Sequence, residues 1–296
     1  MNIGITGATG FIGRHVAALA RSEGHRVIAF SRRPLPDPAF DETRGWSDVA
    51  KADFTGLDAM VHLAGDPVFG LWTAARKASI RRSRVDLTTA LVERLRGTPS
   101  PPRVLVSVSG IAFYGDAGDS ELTESSPPGR GFLAEVSRAW EASALAAGDF
   151  ARVVCLRTPM VLGREGGPAT LLRRVFKLGL GGRLGTGGQW TPWIHVEDLA
   201  AMFLFACEHE AMAGPVNATA PGPVTNRDWT AAIAGAVHRP AIFPVPAFAL
   251  NLLPGGISEI FLQSQRAIPA AATAAGFRWK YPDIQTTARA VFGREK

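Results

Sequence analysis

Apolar residues fall into two spacings along this chain, short unbroken runs and longer stretches with a helical repeat, and the two alternate through most of the sequence. The run from Ile3 to Ile5 predicts a buried strand, and Phe11, Ile12, Val16 and Leu19 after it share one face of a helix. Gly24 stands just past Glu23, where a helix C-terminus favours glycine. The runs Val27–Phe30, Ala59–Gly65, Arg103–Gly110 and Ala151–Leu156 predict further strands. Helical spacing recurs over Trp72–Arg96, with Val85, Leu87, Leu91 and Leu95 on the buried side, over Phe132–Ala147, and over Leu199–Cys207. Residues Pro34 to Asp53 are polar and proline-led, which predicts a loop with room for a short strand. Strands that alternate with helices and carry no polar face imply a parallel sheet covered on both sides.

The join between the first strand and the first helix carries the most chemistry. It reads Gly7-Ala8-Thr9-Gly10-Phe11-Ile12-Gly13, a GxxGxxG turn opening a helix. Glycines there permit a tight turn and a close approach of backbone N–H groups to a phosphate, and the helix N-terminus adds partial positive charge. The expected fold class is therefore α/β, a Rossmann-type doubly wound parallel sheet. A dinucleotide-binding part over residues 1–160 and a smaller, interleaved substrate-facing part over residues 161–296 are expected. Leu63, Ala64 and Gly65 close the third apolar run with small side chains that let a cofactor lie against the strand end. His62 before them reads as a satisfied core histidine.

Where such folds select NAD, an acidic residue follows the second strand and holds the ribose 2′-hydroxyl. Here the residues are Ser31, Arg32 and Arg33, which suit a 2′-phosphate through planar, charge-assisted hydrogen bonds. The expected cofactor is NADP(H), with Arg84 as a further phosphate contact.

Composition changes this picture little. Of the 296 residues 20% are charged and 46% hydrophobic, as in ordinary globular domains. The net charge of +6 invites a nucleic-acid reading, but no basic stripe interleaved with aromatics supports it. The longest helical apolar stretch falls far short of a bilayer span, and no leader is expected ahead of the first strand. The expected setting is the cytoplasm, with no nucleic-acid or membrane partner. Leu171–Leu178 has a basic and an apolar face and is expected to pack on its own domain, its cations suiting an anionic substrate. Cys155 and Cys207 lack metal-ligand spacing and read as buried thiols, and no metal site is expected.

The segments GATGFIG (Gly7 to Gly13), HLAG (His62 to Gly65), SVSGIAFYG (Ser107 to Gly115), LRTPMVLG (Leu156 to Gly163) and WIHVEDLA (Trp193 to Ala200) resemble the extended, epimerase-like branch of the short-chain dehydrogenase/reductase superfamily. That resemblance implies a Tyr with a Lys four residues later, the Lys lowering the Tyr pKa for proton transfer beside the nicotinamide. The pair is absent. Leu133 and Ser137 stand roughly at its two positions, and no lysine lies between Lys77 and Lys177. With GLGGRLGTGGQWTPWIHVEDL (Gly179 to Leu199), GPVNATAPGPVTN (Gly214 to Asn226) and SQRAIP (Ser264 to Pro269), the chain resembles atypical members labelled epimerase-family or nucleoside-diphosphate-sugar epimerase-like. Such proteins keep the NADP-binding half without the usual active-site pair.

The expected function is an NADP(H)-dependent oxidoreductase or epimerase-like enzyme acting on a small carbonyl, alcohol or nucleotide-linked substrate. The alternative is a non-catalytic NADP(H) sensor. Ser109, Tyr114 and His195 are the candidate proton-transfer groups, and Met160 borders the nicotinamide end. The loop from Gly179 to Gly188 either closes over a ligand or is a passive surface loop. Asp198, in the first turn of the helix after His195, reads as a helix cap.

Overall fold

The computed structural model describes residues 1–32, 37–252, 254–256 and 258–293. Arg33 lies outside the described residues. In chain order the strands are β1 (Asn2–Thr6), β2 (Arg26–Ser31), β3 (Glu42–Gly45), β4 (Ala59–His62), β5 (Val104–Gly110), β6 (Glu121–Leu122), β7 (Arg152–Thr158), β8 (Met160–Leu162), β9 (Trp193–His195), β10 (Gly214–Asn217) and β11 (Arg266–Ala267). The α-helices are α1 (Phe11–Ser22), α2 (Ala74–Arg81), α3 (Leu87–Arg96), α4 (Phe132–Leu145), α5 (Ala169–Lys177), α6 (Val196–Glu208), α7 (Asn226–Val237), α8 (Ala247–Asn251), α9 (Glu259–Leu262), α10 (Ala270–Ala274) and α11 (Ile284–Phe292).

Seven strands form one sheet in the order β3-β2-β1-β4-β5-β7-β10, and every pairing in it is parallel. The chain builds outward from β1 to β3, then returns to β1's other side with β4. Strand order therefore reverses between β1 and β4, which opens a crevice at their carboxyl ends.

Both faces of the sheet are covered, so the strands read as unbroken apolar runs. On β2, Val27 and Ala29 join the core beneath α1 and α6. The alternate residues Ile28 and Phe30 join the opposite core with Phe54, Met60, Leu91 and Leu105. Val16, Ala17 and Ala20 are the buried stripe of α1, two of them small enough to let the helix lie close on the sheet. A third core gathers Trp193, Trp229, Ile233 and Phe292 around α5, α7 and α11. Because β10 and α6 return to the large sheet, the front and back parts of the chain are interleaved.

The short strand allowed for in the polar loop is present, and two local departures from the sequence expectation have physical causes. A polar edge strand, β3, lies inside the predicted loop; its Glu-Thr-Arg-Gly is held by backbone pairing and carries no apolar signal. The strand predicted to reach Gly65 ends at His62, with the Leu63 N–H making a last backbone bond to the Thr6 carbonyl at 3.2 Å. The helix predicted over 72–96 is interrupted by a π-turn at Arg82–Asp86. Cys155 and Cys207 are free thiols, and burial raises both above the ordinary cysteine range, which leaves them unreactive.

Candidate functional site

At the end of β1 the backbone turns through Gly7, whose φ of 68° belongs to the left-handed region. The Gly10 N–H donates to the Gly7 carbonyl at 2.9 Å, and the Arg14 N–H donates to the Gly10 carbonyl at 3.0 Å as α1 starts. A Cβ on Gly13 would lie 2.3 Å from the Gly7 oxygen, so the third glycine is required for the turn and helix to meet. The N-cap of α1 is Gly10, and among the described residues no side chain caps the helix's first N–H groups. Thr9 and Gly10 are exposed. The turn thus presents unclaimed donors and the positive end of a helix to solvent.

Neighbouring elements complete this cradle. A Cβ on Gly7 would lie 3.0 Å from the Leu63 backbone, and the Leu63 N–H donates to Thr6 Oγ1 at 3.1 Å, which fixes Leu63 beside the turn. Phe11 and Ile12 open α1 with their side chains half-buried. The Phe11 ring faces the loop after β8, where added Cβ atoms on Gly163, Gly166 and Gly167 would each lie within 2.9 Å of it. Ser31 ends β2 half-buried, followed by an exposed Arg32. Among the described residues Arg32 makes no hydrogen bond or ion pair. Arg84 comes from the π-turn, with its guanidinium carbon 3.5 Å from the Cβ position of Gly65 and 5.1 Å from the Trp140 ring centre. Burial lowers its pKa to about 10, against the pull of Asp66. Met160 is half-buried at the start of β8.

The carboxyl ends of β5 and β7 are built differently. Arg157 on β7 meets Glu141 on α4 through two bonds, Nε to Oε1 at 2.9 Å and Nη2 to Oε2 at 2.9 Å. Ser109 donates to Glu141 Oε1 at 2.7 Å. The Tyr114 hydroxyl accepts from Arg157 Nη1 at 2.7 Å and lies 2.7 Å from Asn217 Oδ1 and 2.8 Å from the Thr123 carbonyl. Arg157 also lies 3.6 Å over the Phe113 ring. All the charged and hydroxyl-bearing members are buried. Burial opposes the Arg157 charge, but Glu141 and Tyr114 outweigh it and hold that pKa above the ordinary value. Burial also pushes the Tyr114 phenol upward despite Arg157. This is opposite to the direction a neighbouring Lys would drive a proton-transferring Tyr.

Next to this network, a Cβ on Gly110 would lie 3.1 Å from Ser137 Oγ. One of the two positions assigned to the missing pair, Ser137, thus stands against the end of β5. Leu133, at the other, joins Trp72, Phe132, Ile260 and Phe261 in an apolar cluster.

His195 is the N-cap of α6, and its Nδ1 accepts from the Glu197 N–H at 3.2 Å. Burial lowers its pKa to about 4, with Glu197 opposing, and its ring lies 3.8 Å from that of Tyr281. Asp198 does not cap the helix. Its two carboxylate oxygens accept from the Lys280 N–H at 2.7 Å and the Tyr281 N–H at 3.0 Å, so it anchors the segment before α11. His62 sits between Thr6 and Thr88 at 2.7 and 3.0 Å, kept neutral by burial with a pKa of about 4. It is a hydrogen-bonded core residue.

Two basic or glycine-rich segments also find structural uses. Arg173 donates to the carbonyls of Arg164 and Val291, which ties α5 to the end of α11 and gives its charge a use other than an anionic substrate. The 179–188 loop is held by Leu184 N–H to Asn226 Oδ1 and Gly185 N–H to the Val245 carbonyl, both at 2.8 Å.

The sequence reading missed Glu141, Arg157 and Asn217, the members that close the buried network. A charged residue inside the apolar run Val153–Leu156-Arg157 was the available signal, because such a charge needs a partner. It also named none of the contacts that the last part of the chain, expected to face the substrate, makes near the end of β5. Gln265 donates to the Gly115 carbonyl at 2.9 Å, Ser264 N–H donates to Asp116 Oδ1 at 2.9 Å, and the Glu259 carboxylate faces Gly131 at the start of α4.

Comparison with known proteins places this geometry. Residues 3–218 match the NAD dependent epimerase/dehydratase family, and residues 245–291 match a domain of unknown function, DUF1731. The chain is similar to the chloroplastic SDR39U1 homologue of the epimerase family from Arabidopsis thaliana, 34% identical over 98% of this chain and 86% of that protein. It is 34% identical to the epimerase family protein SDR39U1 of Bos taurus over 96% of this chain and 97% of the relative. The crystal structure of human epimerase family protein SDR39U1 (isoform 2) with NADPH superposes with a TM-score of 0.92 and 31% identity, covering 99% of both chains.

Proposed function

The chain belongs to the NAD dependent epimerase/dehydratase family, and from that premise we propose that it binds NADP(H) as an atypical short-chain dehydrogenase/reductase and works as an oxidoreductase or epimerase-like enzyme. The carrying observation is the open glycine turn at the β1/β4 reversal, with uncapped α1 donors and Arg32 just beyond β2. NADPH in the human relative's structure supports the same cofactor. In this reading Gly7, Thr9, Gly10, Phe11, Ile12 and Gly13 cradle the pyrophosphate through backbone N–H groups. Ser31, Arg32 and Arg33 take the 2′-phosphate. Leu63, Ala64, Gly65 and Arg84 line the crevice, and Met160 borders the nicotinamide. The bound cofactor supplies hydride chemistry. Residues 1–160 hold it and residues 161–296 face a small carbonyl, alcohol or nucleotide-linked substrate, in the cytoplasm.

Ser109, Tyr114 and His195 remain the proposed proton-transfer groups, with Ser109 and Tyr114 fixed by the Arg157–Glu141 pair. NADPH absorbance followed across a panel of carbonyl substrates tests the reading. The expected result is substrate-dependent oxidation that falls in Ser109→Ala and Tyr114→Phe; full turnover in the double variant removes these two from the mechanism. Failure to bind NADPH overturns the whole reading. The second reading is a non-catalytic NADP(H) sensor, favoured by the Leu133 and Ser137 replacement and by the raised Tyr114 pKa. Saturable NADPH binding without oxidation on any substrate selects it.

A further inference from the structure

Two segments far apart in sequence run side by side on the surface of the back part. A Cβ on Gly182 would collide with the Phe243 carbonyl. The Val245 N–H donates to the Arg183 carbonyl, and the Gly185 N–H donates to the Val245 carbonyl, both at 2.8 Å. Arg239 Nε donates to the Lys177 carbonyl at 3.2 Å. Along this seam stand large apolar side chains given to solvent: Leu178 is 74% exposed, Leu180 62%, Ile242 68%, Phe243 61%, Phe248 69% and Leu252 78%. Scattered exposed leucines are ordinary, but six large apolar side chains on two segments bonded side by side call for a covering surface.

Charge narrows what covers it. No Asp or Glu occurs from residue 166 to 196 or from 229 to 258. The charged side chains that these segments expose at the seam are Arg174, Lys177, Arg183 and Arg239. Asp228 and Glu259 bound the second segment, the first hydrogen-bonded to Thr225 and the second turned against α4. Two copies of so cationic a face repel each other when pressed together, whereas an anionic bilayer meets both requirements at once. Its headgroups neutralise the Arg and Lys side chains while Leu and Phe enter the acyl boundary.

We propose that the seam of residues 174–183 and 239–252 is a docking surface for an anionic lipid bilayer. No helix among the described residues is long and apolar enough to cross a membrane; this surface lies on one. The sequence expectation of no membrane partner rested on span length and on α5 packing against its own domain. Ala169 and Phe176 do pack there, but Leu178 and its neighbours do not.

Co-sedimentation with vesicles of phosphatidylglycerol and phosphatidylcholine in equal parts, against pure phosphatidylcholine, tests the proposal with the full chain. Binding to the anionic vesicles alone is expected, weakened by raised salt. A loss of at least ~tenfold is expected in Leu180→Ser/Phe243→Ser and in Arg174→Glu/Lys177→Glu. Leu145→Ser, an exposed apolar position on α4, leaves binding unchanged, and circular dichroism confirms that each variant is folded. Equal binding to both vesicle types, no binding to either, or a stable dimer by light scattering that Phe243→Ser dissociates would each overturn it.

Discussion

The crevice has two ends made of similar residue types and opposite bonding. At the β1/β2 end, α1 begins without a side-chain cap and the exposed Arg32 shares its charge with no acid among the described residues. At the β5/β7 end, Arg157, Glu141, Ser109, Tyr114 and Asn217 satisfy one another within the protein. The difference separates two uses of polar groups. Donors left open at a strand end are available to a ligand, while a closed buried network fixes strand to helix and holds Ser109 and Tyr114 in place. Substitutions at the closed end should therefore cost stability, and substitutions at the open end should cost affinity.

The largest effect is expected from Glu141→Ala, which leaves Arg157 buried without its counter-charge. A loss of about 3–5 kcal/mol in urea unfolding is expected. A loss under ~1 kcal/mol would mean that the network relaxes to let water reach Arg157.

Acid comes next. His62 and His195 have folded pKa values of about 4 against an ordinary 6.5 because burial disfavours their charged forms. The unfolded chain therefore binds protons that the folded chain refuses. Stability is complete above pH ~6.5 and falls as pH drops toward ~4, by on the order of 3 kcal/mol for His62 alone. Thermal unfolding across that window should show the decline, and His62→Asn should flatten it. An unchanged slope would assign the acid sensitivity to other groups. Ser109→Ala is the smallest stability change of the series. It removes one donor from a carboxylate that keeps both Arg157 bonds, and a cost of about 1 kcal/mol is expected from the same urea titration.

The open end was legible from sequence because local rules define it. Gly7, Gly10 and Gly13 span one turn and the start of one helix, and Ser31 and Arg32 lie at the end of one strand, so spacing alone brings them together. The absent pair was equally legible, since a missing Lys within a known helix is a local fact. The closed end was not. Arg157 and Glu141 are separated by 16 residues and by a strand-to-helix change, and Asn217 reaches Tyr114 across 103 residues. Only the sheet order, which inserts β7 between β5 and β10, makes them neighbours. Asp198 shows the converse error: its place in the first turn of α6 suggested a cap, but its partners at Lys280 and Tyr281 lie more than 80 residues away.

The contrast between an open cofactor end and a closed structural end is tested most directly by titrating Arg32→Glu with NADPH and NADH, followed by nucleotide fluorescence. With Arg32 assigned to the 2′-phosphate as proposed, reversing its charge should weaken NADPH by about tenfold to a hundredfold, the scale of a lost hydrogen bond to a charged group. NADH affinity should stay as it was. Unchanged NADPH affinity, or an equal fall for both nucleotides, would contradict the account.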